Sequence, residues 1–210
     1  MLTTSKEIAT RARANGYAVG ALSAVNMENA QAIFYAAAET RSPFILQITQ
    51  STILYTEPEE LVALVLALGQ RSPVPFAMHL DHGRSFDIRM RFLRLGVTAL
   101  MIDGSLQEDG KAPRSYGENV AATRKAVEAA HAMGVTVEGE IGRLGQVGSG
   151  AEGAERLTQP DEAARFVADT DVDMLAVAIG TTHGLFRGTP YMPYAARLCC
   201  SPASATSTTC

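Results

Sequence analysis

The chain has 210 residues, 47% apolar and 19% charged, which suits a globular domain with one sizeable core. A net charge of −4 with no basic block argues against a nucleic-acid surface. No apolar run approaches the roughly 18 residues that span a bilayer. Met1 to Arg13 mixes both charge signs and lacks an apolar stretch, so it does not read as a secretory leader, and the chain reads as cytoplasmic. Cys199, Cys200 and Cys210 lie close together near the end. That grouping fits neither a disulfide framework nor a zinc ribbon, and they read as free thiols.

Short β-rich runs alternate with longer helical stretches. The predicted elements, in chain order, are a strand at Tyr17–Leu22, a helix at Met27–Glu39, a strand at Phe44–Thr49 and a helix at Glu57–Leu68. A strand at Val74–Leu80, a helix at Phe86–Leu95, a strand at Val97–Ile102 and a helix at Gly117–Met133 follow. The series ends with a strand at Val135–Ile141, a glycine-rich loop, a helix at Pro160–Ala168 and a strand at Met174–Ile179. Pro58 and Pro160 sit where a first helical turn tolerates a missing N–H, and Thr56 and Thr158 are the expected caps. The strands are near-continuous apolar runs, as in a parallel sheet covered on both faces.

Regular β/α alternation predicts a parallel sheet wrapped by helices. An open dinucleotide-binding sheet would carry G-x-G-x-x-G after its first strand. The turn here reads "SAVNMEN" and has no glycine. The expected fold is therefore α/β, a (β/α)8 TIM barrel of which about six units are present in residues 1–188; a complete barrel takes about 250 residues. Residues 189–210 have a single charge, Arg197, and no apolar periodicity. They read as an irregular tail, as expected of a chain that stops before the barrel closes.

Barrel chemistry sits at the C-terminal ends of the strands. Those ends carry Gln47 and Thr49, then His79, Asp81 and His82 in "MHLDHG". Asp103 and Ser105 follow in "MIDGS", Glu138 and Glu140 in "VEGEIG", and Thr181, Thr182 and His183 in "AIGTTHG". Imidazoles and carboxylates are natural zinc ligands. His82 and His183 could share one ion, with Glu140 and Asp103 between them around the rim. Strand alternation sends Asp81 to the side opposite His82, so it could act as an acid/base while His82 holds metal. His79 shares a face with Asp81, either in the site or supporting it, and one of the two glutamates could serve to orient the other. His131 lies in a helix and reads as structural. Of the three lysines, Lys6, Lys111 and Lys125, none falls at a strand end, which excludes a Schiff-base mechanism.

Several segments together resemble the class II, metal-dependent fructose- and tagatose-bisphosphate aldolases. They are "VPFAMHLDHG" (Val74 to Gly83), "GVTALMIDGS" (Gly96 to Ser105), "ENVAATRKAVEAAH" (Glu118 to His131), "VTVEGEIGRLG" (Val135 to Gly145) and "DVDMLAVAIGTTHG" (Asp171 to Gly184). The "VEGEIGRLG" form is closer to the tagatose-type branch. The resemblance implies zinc-dependent aldol cleavage of a ketose 1,6-bisphosphate to dihydroxyacetone phosphate and glyceraldehyde 3-phosphate, in a homo-oligomer. It implies Asp81 as acid/base on the C4 hydroxyl, His82 and His183 as zinc ligands, and Glu140 and Asp103 at a second or alternative metal position. Gly184 would contact substrate near a monovalent cation, Na+ or K+. Gln47, Thr49 and Ser23 would line the ketose-phosphate pocket.

There are departures from the family pattern. A third zinc histidine and the phosphate-binding loops belong to strands seven and eight. The loop after the fifth strand has Gly148 where an acidic residue moves the ketose α-proton, Ser23 stands where an asparagine is usual, and Gln107–Ser115 forms a longer loop. The competing expectation is thus a catalytically inactive fragment or degenerate paralogue of the same family. A sugar-phosphate isomerase on the same barrel is disfavoured by "HLDHG".

Overall fold

The computed structural model describes residues 1–108, 112–142, 145–146, 157–178 and 182–183. Its centre is a six-stranded parallel sheet of β1 (Gly20–Ser23), β2 (Phe44–Thr49), β3 (Phe76–Asp81), β4 (Ala99–Ile102), β5 (Thr136–Ile141) and β7 (Met174–Val177), paired in that order. Helices α2 (Met27–Thr40), α3 (Pro58–Gly69), α4 (Phe86–Leu95), α5 (Tyr116–His131) and α6 (Pro160–Thr170) alternate with these strands. The result is a half-barrel, the expected incomplete (β/α)8 architecture. A short pair, β6 (Gly145–Gln146) with β8 (Thr182–His183), lies outside the main sheet.

Parallel register gives the two faces different chemistry. Residues paired in register point the same way, and side chains alternate along each strand. Leu46, Ile48, Phe76, Met78, Leu80, Leu100, Ile102 and Val137 face outward and join Phe34, Leu61, Val65 and Phe92 of the helices in one core. Phe34 packs edge-on against Phe44 and Phe76, with ring centres 5.1 and 5.0 Å away. The alternate residues face inward: Gln47 pairs with His79, Thr49 with Asp81, and Met101 with Glu138. The apolar runs of the sequence are thus one-sided, with a polar inner face.

A helix not expected from the sequence, α1 (Ser5–Asn15), is capped by the Thr4 side chain on the Glu7 N–H and ends at left-handed Gly16. Its Ile8 packs with Ile45 and Ala77 and covers the N-terminal end of the sheet. Below the same end, Asp173 accepts from Lys6 Nζ (2.8 Å) and the Val137 N–H (2.9 Å), and pairs with His131 Nε2 (2.8 Å). His131 is structural, as expected. Lys125 lies over the Phe86 ring, 4.0 Å from its centre, so neither it nor Lys6 is at a strand end.

The expected caps Thr56 and Thr158 are corrected. With Pro58 and Pro160 in the first turn, the N-caps are Glu57 and Gln159, and neither side chain makes a cap bond. Glu59, Glu60, Asp161 and Glu162 supply first-turn negative charge instead. Thr158 is fully buried; its hydroxyl donates to the Ile141 carbonyl (2.7 Å) and accepts from the Ala178 N–H (2.9 Å), tying the ends of β5 and β7 together. The expected tail, with its three cysteines, lies outside the described residues.

Candidate functional site

The polar residues at the C-terminal rim converge. One ligand atom from each of His82, Asp103 and Glu140 lies within 4.8 Å of the other two. They come from three successive strand ends, β3, β4 and β5. His82 Nδ1 is 3.8 Å from an Asp103 oxygen, and Nε2 is 4.0 Å from an Asp81 oxygen. Asp103 and Glu140 are each only 6% exposed.

The alternation expected at His82 does not hold. Its φ is 51°, in the left-handed region. The strand has ended, and the imidazole turns toward Asp103 instead of following the pleat. Asp81 keeps its strand orientation, beside Thr49 in register. Both side chains therefore reach one rim.

Two contacts support the cluster from behind, one at the Asp103 carboxylate and one at the Glu140 backbone. Asp103 accepts from the Ser105 hydroxyl at 2.7 Å. Asn119, buried in the first turn of α5, donates from Nδ2 to the Glu140 carbonyl at 3.0 Å. Its Oδ1 sits where a Cβ on Gly104 would lie only 2.1 Å away, so residue 104 must lack a side chain for Asn119 to reach β5. Asn119 and Ser105 were not expected as supports. An amide four residues after the capping serine, Ser115, was the available signal, but only packing shows which strand it reaches.

The electrostatics follow from crowding charge in a poorly solvated place. Interaction with Asp103, then the charges of Asp81 and Glu140, outweighs burial and raises His82 to about 8. Burial pushes Asp103 up, but His82 and the Ser105 hydroxyl prevail and leave it below the usual carboxylate range. Burial, then Asp103, raises Glu140 to about 7. Glu140 Oε2 is buried with no hydrogen-bond partner among the described residues. An orphaned, desolvated carboxylate oxygen facing an imidazole and a second carboxylate is what a bound cation would satisfy. The donor set therefore fits a divalent metal.

Deeper on the inner face, His79 is 1% exposed, with neither ring nitrogen hydrogen-bonded among the described residues, and its Nε2 is 3.8 Å from Glu138. Burial lowers His79 to about 4 and raises Glu138 to about 7. His79 thus sits beneath the rim, apart from the three-residue cluster. Gln47 and Thr49 are half-buried on the same face, and the Thr49 hydroxyl is 2.9 Å from Ser51 Oγ and 3.0 Å from Thr52 Oγ1. Ser23 is exposed at the edge, paired with Gln47. For His183 the structure gives its backbone pairing with Gln146; Gly148 and Gly184 lie outside the described residues.

A parallel half-barrel with a metal-competent cluster on its C-terminal rim defines a barrel protein of the TIM type built for chemistry at that rim. The family's sequence model, fructose-bisphosphate aldolase class-II, matches residues 3–197, and the chain belongs to that family. It is 45% identical over 191 residues to a fructose-bisphosphate aldolase of Thermus caldophilus, across 90% of this chain and 60% of the relative. It is 43% identical over 202 residues to that of Stutzerimonas stutzeri, across 90% and 57%. The chain thus spans about three-fifths of these relatives' length. Among solved structures, the YdjI aldolase from Escherichia coli K12 superposes with a TM-score of 0.80 at 30% identity, covering 92% of this chain and 66% of the other.

Proposed function

We propose that the chain carries the metal-binding and proton-transferring part of an aldolase that cleaves a ketose 1,6-bisphosphate, fructose or tagatose, into dihydroxyacetone phosphate and glyceraldehyde 3-phosphate. The observation that carries this reading is the His82, Asp103 and Glu140 cluster with Asp81 beside it. His82, Asp103 and Glu140 would hold the cation, joined by His183, and the mixed imidazole–carboxylate set suits zinc. A divalent cation there supplies Lewis-acid polarisation of the ketose carbonyl.

The rest of the chemistry falls to the chain. Asp81 takes the proton from the C4 hydroxyl; the C4–O bond becomes the aldehyde carbonyl as the C3–C4 bond breaks, and the electron pair is left on C3. In the synthetic direction the same carboxyl returns the proton. Gln47 and Thr49, on the strand beside Asp81, orient the substrate hydroxyls and phosphate. The half-buried Glu138 and the buried His79 form the floor of the site.

Cleavage of fructose and tagatose 1,6-bisphosphates by the purified chain, with EDTA and then with added zinc, tests the reading. EDTA-sensitive turnover restored by zinc is the expected result. A zinc-loaded chain that cleaves neither sugar would overturn the catalytic reading and leave a non-catalytic family member. That second reading is favoured by Gly148, in place of the acidic residue the resemblance leads one to expect.

A further inference from the structure

A buried arginine with no part in the chemistry above lies behind the metal cluster. Arg89 on α4 is 4% exposed, and burial pulls its guanidinium down to about 10. Its Nη1 donates to the Gly83 carbonyl at 2.6 Å and to the Arg84 carbonyl at 3.0 Å. Desolvating a guanidinium is costly, so a fold gains from it only through contacts that an apolar side chain cannot make. Here the contacts go to the turn that directly follows His82.

That turn has an unusual task. His82 holds φ at 51°, which non-glycine residues seldom adopt and which persists only where the surroundings over-determine it. Two further bonds fix the same turn: the Gly83 N–H donates to the Met101 carbonyl at 3.0 Å, and the Arg84 N–H donates to Gln50 Oε1 at 2.7 Å. A Cβ at Gly83 would lie 2.7 Å from Leu80 Cδ2 and 3.0 Å from Arg89 Cγ, so the arginine stem occupies the space that glycine leaves. Continued strand geometry at His82 would send its ring to the face opposite Asp81.

We propose that Arg89 is a positioning residue for the metal site: by clamping the Gly83 and Arg84 carbonyls it holds His82 in the left-handed conformation that aims its imidazole at Asp103 and Glu140. The proposal rests on the metal reading of that cluster. It assigns to a helix residue, remote from substrate, a share of the cation affinity.

The test is a Co2+ titration followed by visible absorption on wild type, Arg89→Met, Arg89→Lys and the control Phe92→Leu, which loosens the same helix without touching the turn. Thermal melts are run on each. Arg89→Met should weaken Co2+ binding by about tenfold or more, as loss of a support behind a ligand does. Arg89→Lys, which retains one cationic donor, should recover part of this, and Phe92→Leu should stay near wild type. In the metal-free chain, the His82 Cα chemical shift should move away from its left-handed value in Arg89→Met alone. If Arg89→Met does not fold, Arg89→Lys decides, with a loss of about threefold expected. Binding within twofold of wild type in the folded arginine variants overturns the clamp while leaving the metal reading intact. A wild-type chain that takes up no Co2+ overturns both.

Discussion

Replacing Glu140 by glutamine should make the metal-free chain more stable at alkaline pH while weakening its affinity for a cation by about tenfold or more. Glu140 is 6% exposed, and burial with Asp103 beside it raises its carboxyl from 4.5 to about 7. Between those values the folded chain keeps a proton that the unfolded chain has released, so stability falls as pH rises through that window. At about 1.36 kcal/mol per pKa unit, the ionised carboxylate costs the fold at most about 3 kcal/mol by pH 8 and under about 1 kcal/mol at pH 5. Its titration is shared with Asp103 and His82, so about 1–3 kcal/mol is the expected gain of Glu140→Gln at pH 8. Urea unfolding in EDTA at pH 5 and pH 8 measures it. A variant no more stable relative to wild type at pH 8 than at pH 5 would refute the reasoning. With zinc present the order should reverse, because only the wild type gains the binding energy.

Asp81→Asn should lower aldol cleavage by about two to four orders of magnitude while leaving zinc affinity nearly unchanged, since the amide cannot accept the C4 hydroxyl proton; an equal loss of zinc binding would contradict its role. Gly104→Ala should cost about 2–4 kcal/mol in urea melts, because the new Cβ would fall 2.1 Å from Asn119 Oδ1 and force that side chain off the Glu140 carbonyl. Asp173→Asn should cost about 2–4 kcal/mol at pH 7, since it leaves Lys6 and His131 without their buried partner. Burial raises the Asp173 carboxyl, but Lys6, the Val137 N–H and His131 leave it below its ordinary value. Its stabilisation is therefore present above about pH 4 and lost as pH falls further, so a wild-type-minus-variant difference that persists undiminished at pH 2 would contradict the network.

The sheet was legible in the sequence because the helix-facing residues of each strand are uniformly apolar, and Leu46, Ile48, Met78, Leu80, Leu100 and Ile102 mark the outer face. The inner face was legible as chemistry for the converse reason: Asp81, Asp103 and Glu140 interrupt apolar runs at strand ends, where an isolated carboxylate is costly. Local signals failed where a contact distant in sequence decides the outcome. His82 follows a strand, so alternation sends it away from Asp81; its turn is set by bonds to Met101, Gln50 and Arg89. Thr158 resembles a helix cap, but Pro160 moves the cap to Gln159, and the Thr158 hydroxyl joins two strands instead. Helix α1 has a cap and a left-handed glycine stop, yet its mixed charges hide the few apolar residues that cover the sheet.

The measurement that bears most directly on the central claim is the metal content and Co2+ spectrum of the chain, compared with His82→Ala, Asp103→Asn and Glu140→Gln. One cation per chain in the wild type is the predicted result, with a loss of about tenfold or more in affinity for each variant. A wild type that binds no cation, or one whose binding survives all three substitutions, would contradict the site.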